Sequence, residues 1–167
     1  MPAGSTYSTI ATYTIPSATS SYTFSSISGA YTDLILIFNG GISATGNSVY
    51  LQFNGDTGAN YSTNDMWGNG STASSGRTTG ANFIRVNGRG IGADNTLTGN
   101  CINHIQNYSN TTTFKTLLNR SNETGGTSAT AGLWRSTSAI TSITLTAESA
   151  LNLLAGSTFT LYGISAA

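Results

Sequence analysis

A chain of 167 residues is long enough for one domain with its own core, and this one carries no net charge, with only 7% of its residues charged. Ser, Thr and Asn together make up roughly 40% of it, far from average usage. The cations, a single Lys115 and five Arg scattered from Arg77 to Arg135, are too dispersed for a nucleic-acid stripe, and the weak like-charge repulsion favours a subunit that assembles.

The first stretch, MPAGSTYSTIATYTIP, lacks the cationic start and apolar run of a secretion signal. No later run is long enough to span a bilayer, so a soluble protein made in a cytoplasm is expected. Residues 1–16 read either as a Ser/Thr-rich attachment arm ending at Pro16 or as a first edge strand, with 17–167 as the main domain. From there the periodicity is that of strands: Thr, Tyr, Ile, Val and Phe alternate with Ser, Thr and Asn, and Gly or Asn-Gly breaks separate the runs. Ten strands are predicted, at 8–15, 21–27, 31–38, 48–53, 82–86, 100–108, 113–120, 130–135, 139–147 and 157–164. The run DLILIF is apolar on both sides, as suits a central strand buried between two layers or one covered by a neighbouring subunit. MWGNGSTASSGRTTG, 66–80, keeps no period and is predicted to be a surface loop. The one helix candidate, Glu148 to Leu154, is too short to stand alone. Short antiparallel strands with regular turn signals predict an all-β fold, a two-sheet β-sandwich of about 8–10 strands in its jelly-roll form, with a closed barrel second.

Catalytic chemistry finds little to work with. The six acidic residues, Asp33, Asp56, Asp65, Asp94, Glu123 and Glu148, are spread along the chain, so no carboxylate pair is set up by spacing. His104 is the only imidazole and has no nucleophile-elbow pattern beside it; an ordinary strand histidine is the expectation. Cys101 lies three residues from His104 on one predicted strand, which points the two side chains to opposite faces and excludes a shared zinc. As a lone cysteine with no cation near it in sequence, Cys101 reads as a buried structural thiol. GRGIGADN, 88–95, has the glycines of a phosphate loop, but turn residues follow where that loop needs a helix. Six N-x-Ser/Thr sequons, at Asn60, Asn69, Asn107, Asn110, Asn119 and Asn122, are about as many as chance provides in an Asn-, Ser- and Thr-rich chain. No enzyme, cofactor or metal is expected.

One stretch stands apart. LQFNGDTGANYS, 51–62, places Asn54, Asp56 and Asn60 at alternating positions, as a calcium loop would, yet offers a single carboxylate and no closing Glu. The competing reading is a tight reversal in which Asn-Gly and Asp-Thr-Gly supply positive φ angles.

The pieces YTDLILIF, LQFNGDTGANYS, INHIQNYSNTTTFKTLLNRS, GLWRSTSAITSITLTA and AGSTFTLYGI, in this order and spacing, resemble a family of small structural proteins of tailed bacteriophages, especially from aquatic bacteria. The resemblance runs from about residue 5 to the end, and NGDTGxNYS and LYGI are its sharpest marks. It implies a virion component and leaves its place on the particle open; a position on the outer surface, synthesis in the host bacterial cytoplasm and other virion proteins (major capsid or tail proteins) as partners are expected. A homo-oligomer is expected, and a trimer by analogy with jelly rolls in particles.

Three roles follow. The first is a capsid-bound decoration or cement protein, or a head fibre. The second is the receptor-binding tip of a tail fibre, where Tyr61, Trp67 and Trp134 would stack on the sugar rings of a host-surface glycan while Asn64, Asp65 and Asn69 hydrogen-bond its hydroxyls. Against it, Trp134 in the alternating GLWRS is expected to pack in the core. The third, a polysaccharide hydrolase, is disfavoured by the scattered carboxylates.

Overall fold

A computed structural model describes residues 6–87, 95–96, 99–123 and 125–165. Among the described residues the alternating runs become twelve strands: β1 (Tyr7–Thr14), β2 (Ser21–Phe24), β3 (Asp33–Gly40), β4 (Val49–Phe53), β5 (Tyr61–Gly68), β6 (Ala73–Ala81), β7 (Ile84–Arg85), β8 (Gly99–Gln106), β9 (Lys115–Glu123), β10 (Gly126–Trp134), β11 (Ile143–Ala147) and β12 (Thr158–Ile164). They form two antiparallel sheets, one of eight strands in the order β1-β12-β3-β8-β9-β10-β5-β6 and one of four in the order β2-β11-β4-β7. The all-β two-sheet sandwich is the architecture the period-two pattern predicts.

Ten of the twelve strands overlap the predicted ones. The other two, β5 and β6, correct the expectation of a loop at 66–80: this stretch belongs to a hairpin whose strands pair from Tyr61 opposite Ala81 to Gly68 opposite Ala73. Its second strand, ASSGRTTGA, lies at the sheet edge and carries no large apolar residue, so no hydrophobic alternation announces it. Asn69 closes the hairpin by accepting hydrogen bonds from the backbone N–H groups of Ser71 and Thr72 at 3.0 and 2.8 Å. The helix candidate shrinks to one 3₁₀ turn, Glu148–Ala150, with Ser149 at φ 56°; Leu153 beyond it bridges Thr19 and Ile42. Residues 7–14 form the edge strand of the large sheet, paired with β12. The glycines of GRGIGADN lie outside the described residues.

Apolar side chains from both sheets meet in one core, held at its two ends by aromatic groups. At one end Tyr13 of β1 stacks on Tyr22 of β2 at 3.9 Å, and Phe38 stacks on Phe159 at 4.8 Å. At the other, Phe53 of the small sheet packs against Trp134 and Tyr61 of the large one, at 5.5 and 6.4 Å. Along β5, β8, β9 and β10 several inward positions turn polar, and the buried groups pair with one another except at Asn119 Oδ1, which has no partner among the described residues. Asn119 donates to Asn103 Oδ1 at 2.9 Å, Ser121 and Ser128 share a bond of 2.6 Å, and Thr130 and Thr63 donate to Asp65 at 2.7 and 3.1 Å. Pairing of this kind offsets the cost of burying polar groups.

Candidate interaction face

The bend LQFNGDTGANYS carries the chain from β4 in the small sheet to β5 in the large one, so it is a corner between layers. Asn54 and Gly55 sit at φ 53° and 67°, and the Asp56 N–H donates to the Phe53 carbonyl at 2.9 Å, a tight turn with two left-handed residues. The Asn54 side chain ties this turn to the strand entry before β11: its oxygen accepts from the N–H groups of Thr141 and Ser142, and its nitrogen donates to the Ala139 carbonyl. Asp56 accepts from the Gly58 N–H at 2.8 Å, from Asn60 Nδ2 at 2.9 Å and from the indole N–H of Trp134 at 2.6 Å. Burial pushes the Asp56 carboxyl up, but the bonds from Trp134, Asn60 and Gly58 outweigh it and hold the group below its ordinary value. The carboxylate is thus filled with donors and Asn60 turns a donor toward it, which answers the calcium reading with a structural one.

The five candidate contacts separate. Tyr61 is fully buried, and its hydroxyl accepts from the Phe53 N–H at 2.9 Å and donates to the Asp56 carbonyl at 3.2 Å. Burial pushes that phenol up to about 12. Asp65 is buried under Thr63 and Thr130. Neither side chain can reach a sugar from there; inward positions of a strand in the large sheet place both in the interior, and Trp134 joins them in the core. Trp67 is half-buried near the hairpin tip, Asn69 is exposed but occupied in its turn, and Asn64 lies exposed on the outer face of the large sheet.

That outer face is what the residue-by-residue reading missed. The ladders align its side chains in rows running across the strands. One row passes from Tyr162 through Ile35, His104, Leu118 and Ala131 to Asn64. The next passes from Thr160 through Ile37, Ile102, Arg120 and Ala129 to Met66. Leu118 is 50% exposed and Met66 66%. A third row, on one flank, runs from Asn39 through Asn100 and Asn122 to Thr127. Two partly apolar rows, interrupted by His104 and Arg120, therefore share this surface with a margin of neutral amides and hydroxyls. Shallow depressions follow the apolar rows, around Ile35, Ile102 and Leu118 at one end and around Met66, Ala129 and Trp67 at the other.

His104 belongs to this face. Its Nε2 lies 2.8 Å from Asp33 Oδ2, while Asp33 Oδ1 accepts from the Asn107 N–H at 2.7 Å. Its cross-strand neighbours are Ile35 and Leu118, neither of which is a nucleophile. Cys101 points the other way, into the core, where burial pushes the thiol up to about 12. Lys115 is buried and donates to the carbonyls of Thr113 and Thr137 at 2.8 and 3.1 Å.

Fold and face together define an all-β sandwich with one partly apolar sheet surface, on which Arg120 and Arg77 are the exposed cations among the described residues. No protein-family model, curated protein or solved structure matches the chain.

Proposed function

We propose that this protein is a non-enzymatic structural component of a tailed-bacteriophage particle, mounted on the outside of the capsid as a decoration or cement protein or as a head fibre. The observation that carries the reading is the outer face of the eight-stranded sheet: apolar rows beside a margin of amides and hydroxyls form a surface for docking on protein rather than for reaction. The chemistry of the carboxylates agrees, because Asp33, Asp56, Asp65 and Glu148 are each engaged by side chains or backbone groups of the fold itself. The likeness of NGDTGxNYS and LYGI to phage structural proteins supplies the particle. Other virion proteins are the partners, and the copies associate with one another.

A glycan-binding tail-fibre tip is the second reading, favoured by Trp67 beside the depression at Met66 and Ala129. Copy number separates the two. Quantitative mass spectrometry of purified particles is expected to find this chain at tens of copies or more; a handful of copies confined to the tail favours the tip, and absence from particles contradicts both.

A further inference from the structure

We propose that Arg120 is the anion-binding anchor of the outer face of the eight-stranded sheet, and that the segment seated there is an extended, acidic stretch of a partner protein. Its pattern is an aliphatic residue, an Asp or Glu two positions on, and a hydroxyl or amide two positions beyond that. The proposal rests on the reading of this face as a surface that docks on protein, and it names the chemistry of what the face meets.

The first argument is where the other cations go. Arg85 lies 3.8 Å from Glu148 and donates to the Ser48 hydroxyl, and Arg135 donates to Ser62 Oγ and to the carbonyls of Ala59 and Tyr61. Lys115 is buried on the carbonyls of Thr113 and Thr137, and Arg77 at the sheet edge is engaged as well. Arg89 lies outside the described residues. Among the cations that are described, Arg120 alone is exposed and has neither a hydrogen bond nor an ion pair with a described residue.

The second is that its own face holds no anion for it. Among the described strands, the outward positions of the large sheet carry one carboxylate, Asp33. That group sits two rows from Arg120, and its oxygens are committed to His104 Nε2 and the Asn107 N–H. A guanidinium in this position offers its fork of donors to a carboxylate that arrives from outside.

The third is the order of the rows, and it selects a peptide. Arg120 borders two depressions: one is lined also by Ile35, Ile102 and Leu118, the other by Asn100, Asn122 and Thr127. Leu118, Arg120 and Asn122 follow at every second position of β9, roughly 6.6 Å apart, and all three are exposed. An extended segment lying along β9 presents its alternate side chains at the same spacing. Its aliphatic group then enters the depression at Leu118, its carboxylate meets Arg120, and its small polar group lies among the amides. An acidic sugar would instead set hydroxyls against Ile35 and Leu118, where nothing repays their lost water.

NMR titration of the full chain, labelled at the arginine side chains and at the Ile and Leu methyl groups, tests the proposal. The probe is the peptide acetyl-Leu-Thr-Asp-Thr-Ser-amide, with a control in which Asn replaces Asp. The acidic peptide is expected to shift the Arg120 Nε–H and the methyl groups of Ile102 and Leu118, and to bind about fivefold more tightly than the control at low salt. Arg120→Gln should level the two peptides without moving the melting temperature, whereas Arg77→Gln on the same face should leave the preference in place. Equal binding of the two peptides, no shift at Arg120, or tighter binding of glucuronate than of the acidic peptide would overturn the proposal, the last by assigning the site to an acidic glycan. No peptide preference in a chain found at tens of copies per particle would remove the site and leave the particle role standing; a preference in a chain absent from particles would support the site and remove the role.

Discussion

Asp56 shows how much of the corner between the sheets depends on one carboxylate. It holds the Trp134 indole N–H, the Asn60 amide and the Gly58 N–H at once, joining the bend to β10. Replacing it with alanine leaves a core indole without its acceptor, so Asp56→Ala is expected to cost about 2–4 kcal/mol in denaturant unfolding. Its pH dependence has a definite sign. Because the folded-state value is held below the ordinary carboxylate range, the stabilisation is complete above that range and is lost as pH falls through the folded value. Glu148 is also held low: burial raises it, while bonds from Tyr50 and the Ser48 N–H and the nearby Arg85 outweigh that effect. Acid unfolding of the wild type should therefore set in below about pH 4, and Asp56→Ala should show a shallower loss over the same interval. At this scale the sequence was legible in part. Asn-Gly announced the two left-handed residues, but the partner of Asp56 lies 78 positions away, and nothing local marks it.

Between elements, the other sharp sequence mark, LYGI, has a steric cause. Gly163 on β12 lies beneath the ring of Tyr31, and a Cβ built there would fall 2.3 Å from that ring. Gly163→Ala is expected to cost about 1–3 kcal/mol through overpacking, and close to nothing in a Tyr31→Ala background where the ring is gone. A double-mutant cycle read by denaturant unfolding checks this; equal costs in both backgrounds would contradict the contact. The elements themselves were largely legible because alternation writes burial directly into a strand. The hairpin of β5 and β6 was not. Edge position and small polar side chains leave β6 without a core-facing signal, and β5 hides its inward row in Thr63 and Asp65, which are buried through hydrogen bonds. Tyr61 and Asp65 read as contacts from sequence for the same reason: polar character suggests exposure, but the interior of this protein is itself partly polar.

For the molecule as a whole, the proposed function rests on a property that no single residue shows. Only DLILIF hinted at the outer face, by being apolar on both sides, and the rest of that face is assembled from β8, β9, β10 and β5 by register. Register joins residues far apart in sequence, such as Ile35 with His104 and Leu118 with Ala131, so the two apolar rows could not be read before the strands were ordered. In the proposed role, a fold whose Asp33, Asp56, Asp65 and Glu148 are engaged internally packs on a repeating protein lattice through this partly apolar sheet surface. The most direct measurement is imaging of the intact phage particle at a resolution that recognises an eight-stranded sheet over a four-stranded one. The account predicts that density for this sandwich repeats with the symmetry of the capsid on its outer surface, with the outer face of the large sheet covered; density only at the tail, or that face turned to open solvent in every copy, would contradict it.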